Sequence, residues 1–211
     1  MMNAKRTAIA LAAPLALAAL TAAPASAAPA IPDGVTVEVA TVNGSGCPKG
    51  TSAVVISEDR TAFTVSYSDY HAYAGGDATP VDSRKNCQLS VNVHVPDGYT
   101  YAISGAEHRG FTGLEAGATG LLRTNYYFQG LPRDTTADHQ VRGPEVKNWE
   151  FNDRIPAPQL DYKPCGVSRN LNLNTELVVD QKGSDGKKTS FMSMDSTHSS
   201  ARYYFEWKRC P

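Results

Sequence analysis

Apolar and polar residues alternate with a period of two along most of this chain. Val35, Val37 and Val39 alternate with Thr36, Glu38 and Ala40, and Phe63, Val65 and Tyr67 with Thr64 and Ser66. Leu89, Val91, Val93 and Val95 are spaced by Ser90, Asn92 and His94. Leu171, Leu173, Thr175 and Leu177 are spaced by Asn172, Asn174 and Glu176, and Tyr203, Phe205 and Trp207 close the chain in the same rhythm. Successive side chains of a strand point to opposite faces, so each run predicts a strand with one face in a core and the other in water. Asn43-Gly44, Pro96-Asp97-Gly98 and Ser184-Asp185-Gly186 supply turn chemistry between the runs, and Gly75-Gly76 and Gly130-Leu131-Pro132 also interrupt them. The pattern predicts an all-β, single-domain antiparallel β-sandwich or jelly roll.

Two stretches depart from this rhythm. Gly113 to Leu122 carries three glycines, too many for a stable helix, and reads as a loop or a strand edge. Leu131 to Lys163 holds Pro132, Pro144, Pro156 and Pro158 among many charges, with Pro164 just beyond. Proline removes a ladder donor, which argues against central strands. This segment is expected to run over the surface as a binding loop or a linker.

The N-terminus changes the picture of where the protein works. Lys5 and Arg6 precede an apolar run from Ala8 to Leu20, and Ala25-Ser26-Ala27 is a small-residue cleavage site. Residues 1–27 therefore read as a signal peptide, with 28–45 as an N-terminal segment and first strand and 46–211 as the secreted domain. No apolar run reaches the roughly 20 residues needed to cross a bilayer, so no stable membrane insertion is expected. Export explains the cysteines. Cys47, Cys87, Cys165 and Cys210 are an even set in an oxidising compartment, which predicts two disulfides. Three pairings are possible; the two sequential pairs, Cys47–Cys87 and Cys165–Cys210, are favoured. The formal net charge of −1 and the absence of a basic patch give no electrostatic support to a nucleic-acid partner.

Cys47 lies in Gly46-Cys47-Pro48, Phe63-Thr64-Val65 comes next, and Cys87 lies in Arg84-Lys85-Asn86-Cys87-Gln88-Leu89. Arg109-Gly110-Phe111, Gly117, Tyr126-Tyr127-Phe128, Pro164-Cys165-Gly166 and Trp207-Lys208-Arg209-Cys210 follow in order. This ordered set resembles the secreted domain-of-unknown-function family of small bacterial and fungal extracellular proteins, over nearly the whole chain from about Ala40. The resemblance implies one secreted domain with paired cysteines and carries no catalytic residue with it.

The residues themselves offer few routes to catalysis. No G-x-S-x-G elbow is present, and disulfide pairing leaves no thiolate nucleophile. His71, His94, His108, His139 and His198 are scattered without metal-ligand spacing, and the cysteines match no zinc template, so neither a metal nor another cofactor is expected. Asp69, Asp77 and Asp82 form an acidic loop whose spacing matches no EF-hand. Carboxylate-pair hydrolysis or lysis of a glycan would need two facing acids, with Glu107, Glu115, Asp69 and Glu150 as possible members. The aromatic residues are the more suggestive group. Tyr70, His71 and Tyr73 cluster after Tyr67 and before Gly75-Gly76, and tyrosine offers an apolar face with a hydroxyl at its tip. Trp207, near Cys210, is expected to pack over a disulfide. The reading is a noncatalytic extracellular module that binds cell-envelope or environmental polysaccharide through Tyr70, His71 and Tyr73. The alternatives are a carboxylate-pair enzyme and a secreted factor acting on another protein.

Overall fold

A computed structural model describes residues 31–132, 134–194 and 200–211. The expected signal peptide and His198 lie outside them. The described chain is two antiparallel sheets and a single 3-10 turn at Ala157–Gln159. One sheet, here sheet A, runs in the order β1 (Thr36–Asn43), β5 (Arg84–His94), β10 (Leu171–Asp180), β7 (Thr119–Phe128), β8 (Thr135–Arg142). Sheet B runs β2 (Ser52–Ile56), β3 (Ala62–Tyr67), β12 (Ser200–Arg209), β6 (Tyr99–Leu114), β11 (Ser190–Ser193), β4 (His71–Ala74). Its other edge is β9 (Glu145–Arg154), which pairs with β6. The first strand pairs with β5 from Thr36 to Asn43 and so is part of sheet A.

The alternation read from the sequence is the burial pattern of the strands. Leu89, Val91 and Val93 of β5 meet Leu171, Leu173 and Leu177 of β10 in a core that Phe63, Val65, Tyr203 and Phe205 fill from sheet B. Aromatic rings join the layers: Tyr126 meets Tyr203 edge-on at 6.1 Å and Tyr101 meets Phe128 edge-on at 5.2 Å, while Phe63 stacks on Tyr203 within sheet B at 5.1 Å. Trp207 belongs to this cluster, 5.0 Å from Phe205, and its indole N–H donates to the Arg60 carbonyl. Tyr126 and Phe128 point inward from β7, with Tyr127 between them outward-facing. Gly113 to Leu122 is neither a helix nor a free loop: it ends β6, turns through Gly117 at φ +88° and begins β7.

The proline-rich segment is corrected by the structure. Residues 135–142 and 145–154 are strands β8 and β9 rather than a surface excursion. Every proline of the segment lies outside them, at the turn before β8, at Gly143-Pro144 between the two, or after β9. Each strand pairs on one side only, so proline-bounded strands serve as the sheet edges. The charges had hidden the period: Thr136, Asp138, Gln140 and Arg142 face water while Thr135, Ala137, His139 and Val141 are half-buried.

Both sequential disulfides are formed. Cys47–Cys87 is buried and ties the β1–β2 connection to β5, and Cys165–Cys210 ties the chain end to the segment after β9. Lys163, in that same segment, donates its backbone N–H to Tyr101 and its ammonium to the Val167 carbonyl at 2.8 Å. Replacing Cys165 and Cys210 together by serine removes a cross-link between residues 45 positions apart. The expected cost is about 3–4 kcal/mol on the chain-entropy model, read as a lower urea midpoint with a larger m-value, because the denatured chain without the bridge exposes more surface; an unchanged midpoint would show that the bridge contributes nothing to stability.

Candidate functional site

The outward face of sheet B is built from cross-strand rows. On β6 the residues Ala106, His108 and Thr112 are buried, so Glu107, Arg109, Phe111 and Gly113 point the other way. On β4 and β11 the inward residues are Ala72, Ala74 and Met192, which turns His71, Tyr73 and Phe191 outward. Register then sets them side by side. Tyr73 pairs with Phe191, Phe191 with Gly113, and Gly113 with Val146, an exposed residue of β9. His71 pairs with Ser193, Ser193 with Phe111, and Phe111 with Asn148. Phe191 lies across Gly113, where a Cβ would come within 2.6 Å of its ring, so only glycine lets the ring lie down on the sheet. His71 and Tyr73 stack at 5.7 Å, and Phe111 and Phe191 meet at 5.9 Å.

A charged zone adjoins this aromatic zone. Arg109 pairs with Glu150 across β6 and β9, and Glu107 pairs with Asn152 on one side and Arg202 on the other. The Arg109 Nε lies 2.6 Å from Glu107 and 3.2 Å from Glu150. Tyr204 donates its hydroxyl to Glu107 at 3.2 Å, and Arg202 covers the Tyr204 ring at 5.4 Å. From Phe111 to Glu107 is four residues of strand, about 13 Å. Beyond Tyr204 the face deepens into a groove of about 840 Å³, walled by the segment 155–162 and bordered by Arg154 and Glu206. Sheet A presents a different exterior, in which polar groups bond to one another: Asn174 donates to Asn125, Asn125 donates to Asp134 and Thr136, and Arg123 holds Asp138 through two contacts of 2.8 Å.

The residues singled out from sequence divide accordingly. His71 and Tyr73 belong to the aromatic zone. Tyr70 does not: it is 0 % exposed, lies on Gly46, contacts Tyr67 edge-on at 5.2 Å and donates its hydroxyl to Thr175 at 3.1 Å. Burial holds that phenol protonated by pushing it well above its ordinary range. It is core because β4 begins at His71 and the preceding residue turns in under the Cys47 loop. Of the four candidate acids, Glu107 and Glu150 converge on Arg109, whereas Asp69 pairs with His71 at 3.4 Å and Glu115 with Lys188 at 3.2 Å. Asp82 caps a turn through the Thr79 hydroxyl and backbone N–H and also binds Lys85, which keeps its carboxyl well below the usual range. Among the described residues, no group of three or more His, Cys, Asp or Glu side chains is arranged to hold a metal ion.

A second polar assembly lies between the sheets, where sequence gave no hint of it. Asp153 of β9 accepts from His139 of β8 at 2.8 Å and from the Thr124 hydroxyl of β7 at 3.3 Å, and it stands 3.8 Å from His108 Nε2 of β6. His139 stacks on Phe151 at 4.6 Å, and Phe151 on Trp149 at 4.9 Å. His108 is fully buried, and neither of its ring nitrogens has a hydrogen-bond partner. Burial lowers it to about 4, partly countered by the Asp153 charge. These four residues come from four strands and two sheets, so nothing in local spacing could have joined them.

Two sheets, edge strands tied across their open side, and two bridges define a disulfide-stapled extracellular β-sandwich. The chain belongs to the family described as Domain of unknown function (DUF4360), whose model matches residues 33–210. A relative from Arthroderma benhamiae, an "Uncharacterized secreted protein", is 31% identical over 181 residues, which is 85% of this chain and 73% of that protein. The protein is secreted. No helix among the described residues is long and apolar enough to cross a membrane. A solved structure of TmCBM61 in complex with β-1,4-galactotriose has a TM-score of 0.27 and 13% identity, over 82% of this chain and 91% of that one. The enzymatically active domain of bacteriophage CBA120 tailspike protein 4 has a TM-score of 0.26 and 10% identity, over 81% of this chain and 19% of that one. Likeness at this level identifies neither ligand nor activity.

The buried histidine makes stability depend on pH. His108 takes up its proton near 4 when folded and near 6.5 when unfolded, so between those values the unfolded chain binds more protons. Its contribution is fully present above 6.5 and is lost as pH falls toward 4. Unfolding free energy is expected to drop by about 3 kcal/mol more in the wild type than in His108→Leu between pH 7 and pH 4. Parallel pH profiles of the two proteins in urea titrations would contradict this.

Proposed function

We propose that this secreted protein is a noncatalytic module that binds extracellular polysaccharide on the outward face of sheet B. The observation that carries the reading is the adjacency of two zones on one strand-built surface. His71, Tyr73, Phe111 and Phe191 offer aromatic surface, and Asn148, Arg109, Glu150 and Glu107 offer fixed donors and acceptors within four residues of Phe111 along the same face. A pyranose has an apolar C–H face and a rim of hydroxyls that both donate and accept. The aromatic side chains suit the first and the charged and amide groups the second. The groups are also held in place before any ligand arrives, because strand register and the Arg109 ion pairs fix them, which lowers the ordering cost of binding. The groove beside Tyr204 continues the face and would extend contact along a polymer.

The convergence of Glu107 and Glu150 supports a second reading, a glycan-directed enzyme using that pair. In this arrangement the two acids are joined through one guanidinium instead of facing each other across open space, and this favours the binding reading.

Incubation of the secreted chain with insoluble chitin, cellulose and peptidoglycan separates the two. Binding predicts protein in the pellet without soluble sugar, and Tyr73→Ala with Phe111→Ala should weaken retention by about tenfold or more, as loss of central aromatic anchors does. Release of reducing sugar that Glu150→Gln abolishes would establish the enzyme instead. Neither retention nor release on any of the three would remove the glycan reading and leave a protein partner.

A further inference from the structure

A second cavity lies on the other side of β9. It is a cleft of about 730 Å³ that opens beside the β7–β8 turn, where β9 leaves sheet B. It adjoins the groove beside Tyr204, with which it shares Asp153, Arg154, Ile155 and Pro156, and its other walls come from β7, β8 and the segment 156–161, away from the aromatic zone. Ile103, Phe128, Leu171 and Pro158 give it apolar walls. Asp134, Asp153 and Asp161 bring three carboxylates, with the Arg154 guanidinium and the Gln159 amide also on the lining. Tyr126 lines the cleft as well. It is 4 % exposed, and its hydroxyl has no hydrogen-bond partner.

The demands of these groups point to one ligand chemistry. Two of the carboxylates already have donors, Asp153 from His139 and Asp134 from Asn125 at 2.9 Å, so they need no full positive charge to balance them. They retain lone pairs for further donors. Tyr126 keeps its proton, because burial and the nearby Asp153 charge raise it, and a buried hydroxyl left without an acceptor is unfavourable. A ligand that satisfies the cleft must therefore donate to carboxylates, accept from a phenol and an arginine, and present apolar surface to Phe128, Leu171 and Pro158. An organic cation meets the first need but offers Tyr126 no acceptor. A fatty chain meets only the last. A sugar ring meets all three, since each hydroxyl both donates and accepts and the ring has an apolar face.

We infer that this cleft is a binding site for a single neutral sugar residue, either a free monosaccharide or the end of a glycan chain. The site complements the open face that follows chain length, which it meets along Asp153 to Pro156. It does not rest on the polysaccharide reading of that face.

Saturation-transfer NMR on the secreted chain tests the assignment with D-glucose, D-galactose, D-mannose and N-acetyl-D-glucosamine as probes, and n-butylammonium as the cationic comparison. At least one sugar should give a transfer signal. Tyr126→Phe and Asp161→Asn should each weaken its binding by about tenfold, the effect of one buried hydrogen bond. Tyr73→Ala with Phe111→Ala should leave it unchanged, which separates failure of the cleft from failure of the face. Amide spectra confirm the fold of each variant, and Asp161, nearer the surface than Tyr126, keeps the test available if Tyr126→Phe perturbs the core. A signal from none of the four sugars, a sugar signal indifferent to both cleft substitutions, or binding of butylammonium in place of sugar would each overturn the inference.

Discussion

Among the described residues two sheets face each other with no third layer, which leaves each strand with one face toward water, and the rest of the structure follows from that constraint. The apolar face of each sheet has one partner, the other sheet, so Leu89, Leu173, Phe63 and Tyr203 must face inward and their neighbours outward. A one-residue slip would turn each set over, which is why register is so well specified here. The same constraint creates functional surface. Residues on the outer faces are free of packing duty yet fixed in position by the ladder beneath them. Sheet A spends its exterior on bonds within itself, amide to amide and arginine to carboxylate. Sheet B carries Tyr73, Phe111 and Phe191 outward beside a charged zone, and among the described residues no strand or helix lies over that aromatic zone.

Closing the sandwich is the second problem. The β8–β9 hairpin places one strand at the edge of each sheet, and the two edges meet through His139 and Asp153. Burying a carboxylate between sheets is costly unless it is paired and hydrogen-bonded. Asp153 has both His139 and Thr124 as partners. His108, beside it, has no hydrogen-bond partner, and its burial favours the neutral form. Just past Asp153 the edges part and the cleft begins, so a single residue ends the closed part of the seam and lines the open part. The two disulfides secure the regions that the ladders do not, the loop entering β2 and the irregular segment after β9.

Much of the fold was legible because burial in a two-sheet protein is written in period two. The runs around Val91, Leu173 and Phe205 are strands, the prolines and glycines stand at turns, and the cysteines pair in sequence. The segment from Leu131 to Lys163 was not legible, because of the inward residues of β8, Thr135, Ala137, His139 and Val141, only Val141 is a sizeable apolar group, too little to announce a buried face. Of the aromatic cluster, His71 and Tyr73 could be found but Tyr70 was misplaced. Adjacent residues reach the surface or the core according to where a strand starts, and local composition does not mark that point.

The sequence alone determined the all-β class and most strand positions, since these depend on composition and on patterning within a few residues, and its even set of four cysteines predicted two bridges. Only the tertiary structure decided which outward residues stand together. Phe111 and Phe191 are eighty residues apart and meet because β6 and β11 pair, and Asp153, His139, His108 and Thr124 meet because four strands converge at one seam. Sites on a sandwich are assembled across strands, by register and sheet order, and both are fixed by the global packing of the chain.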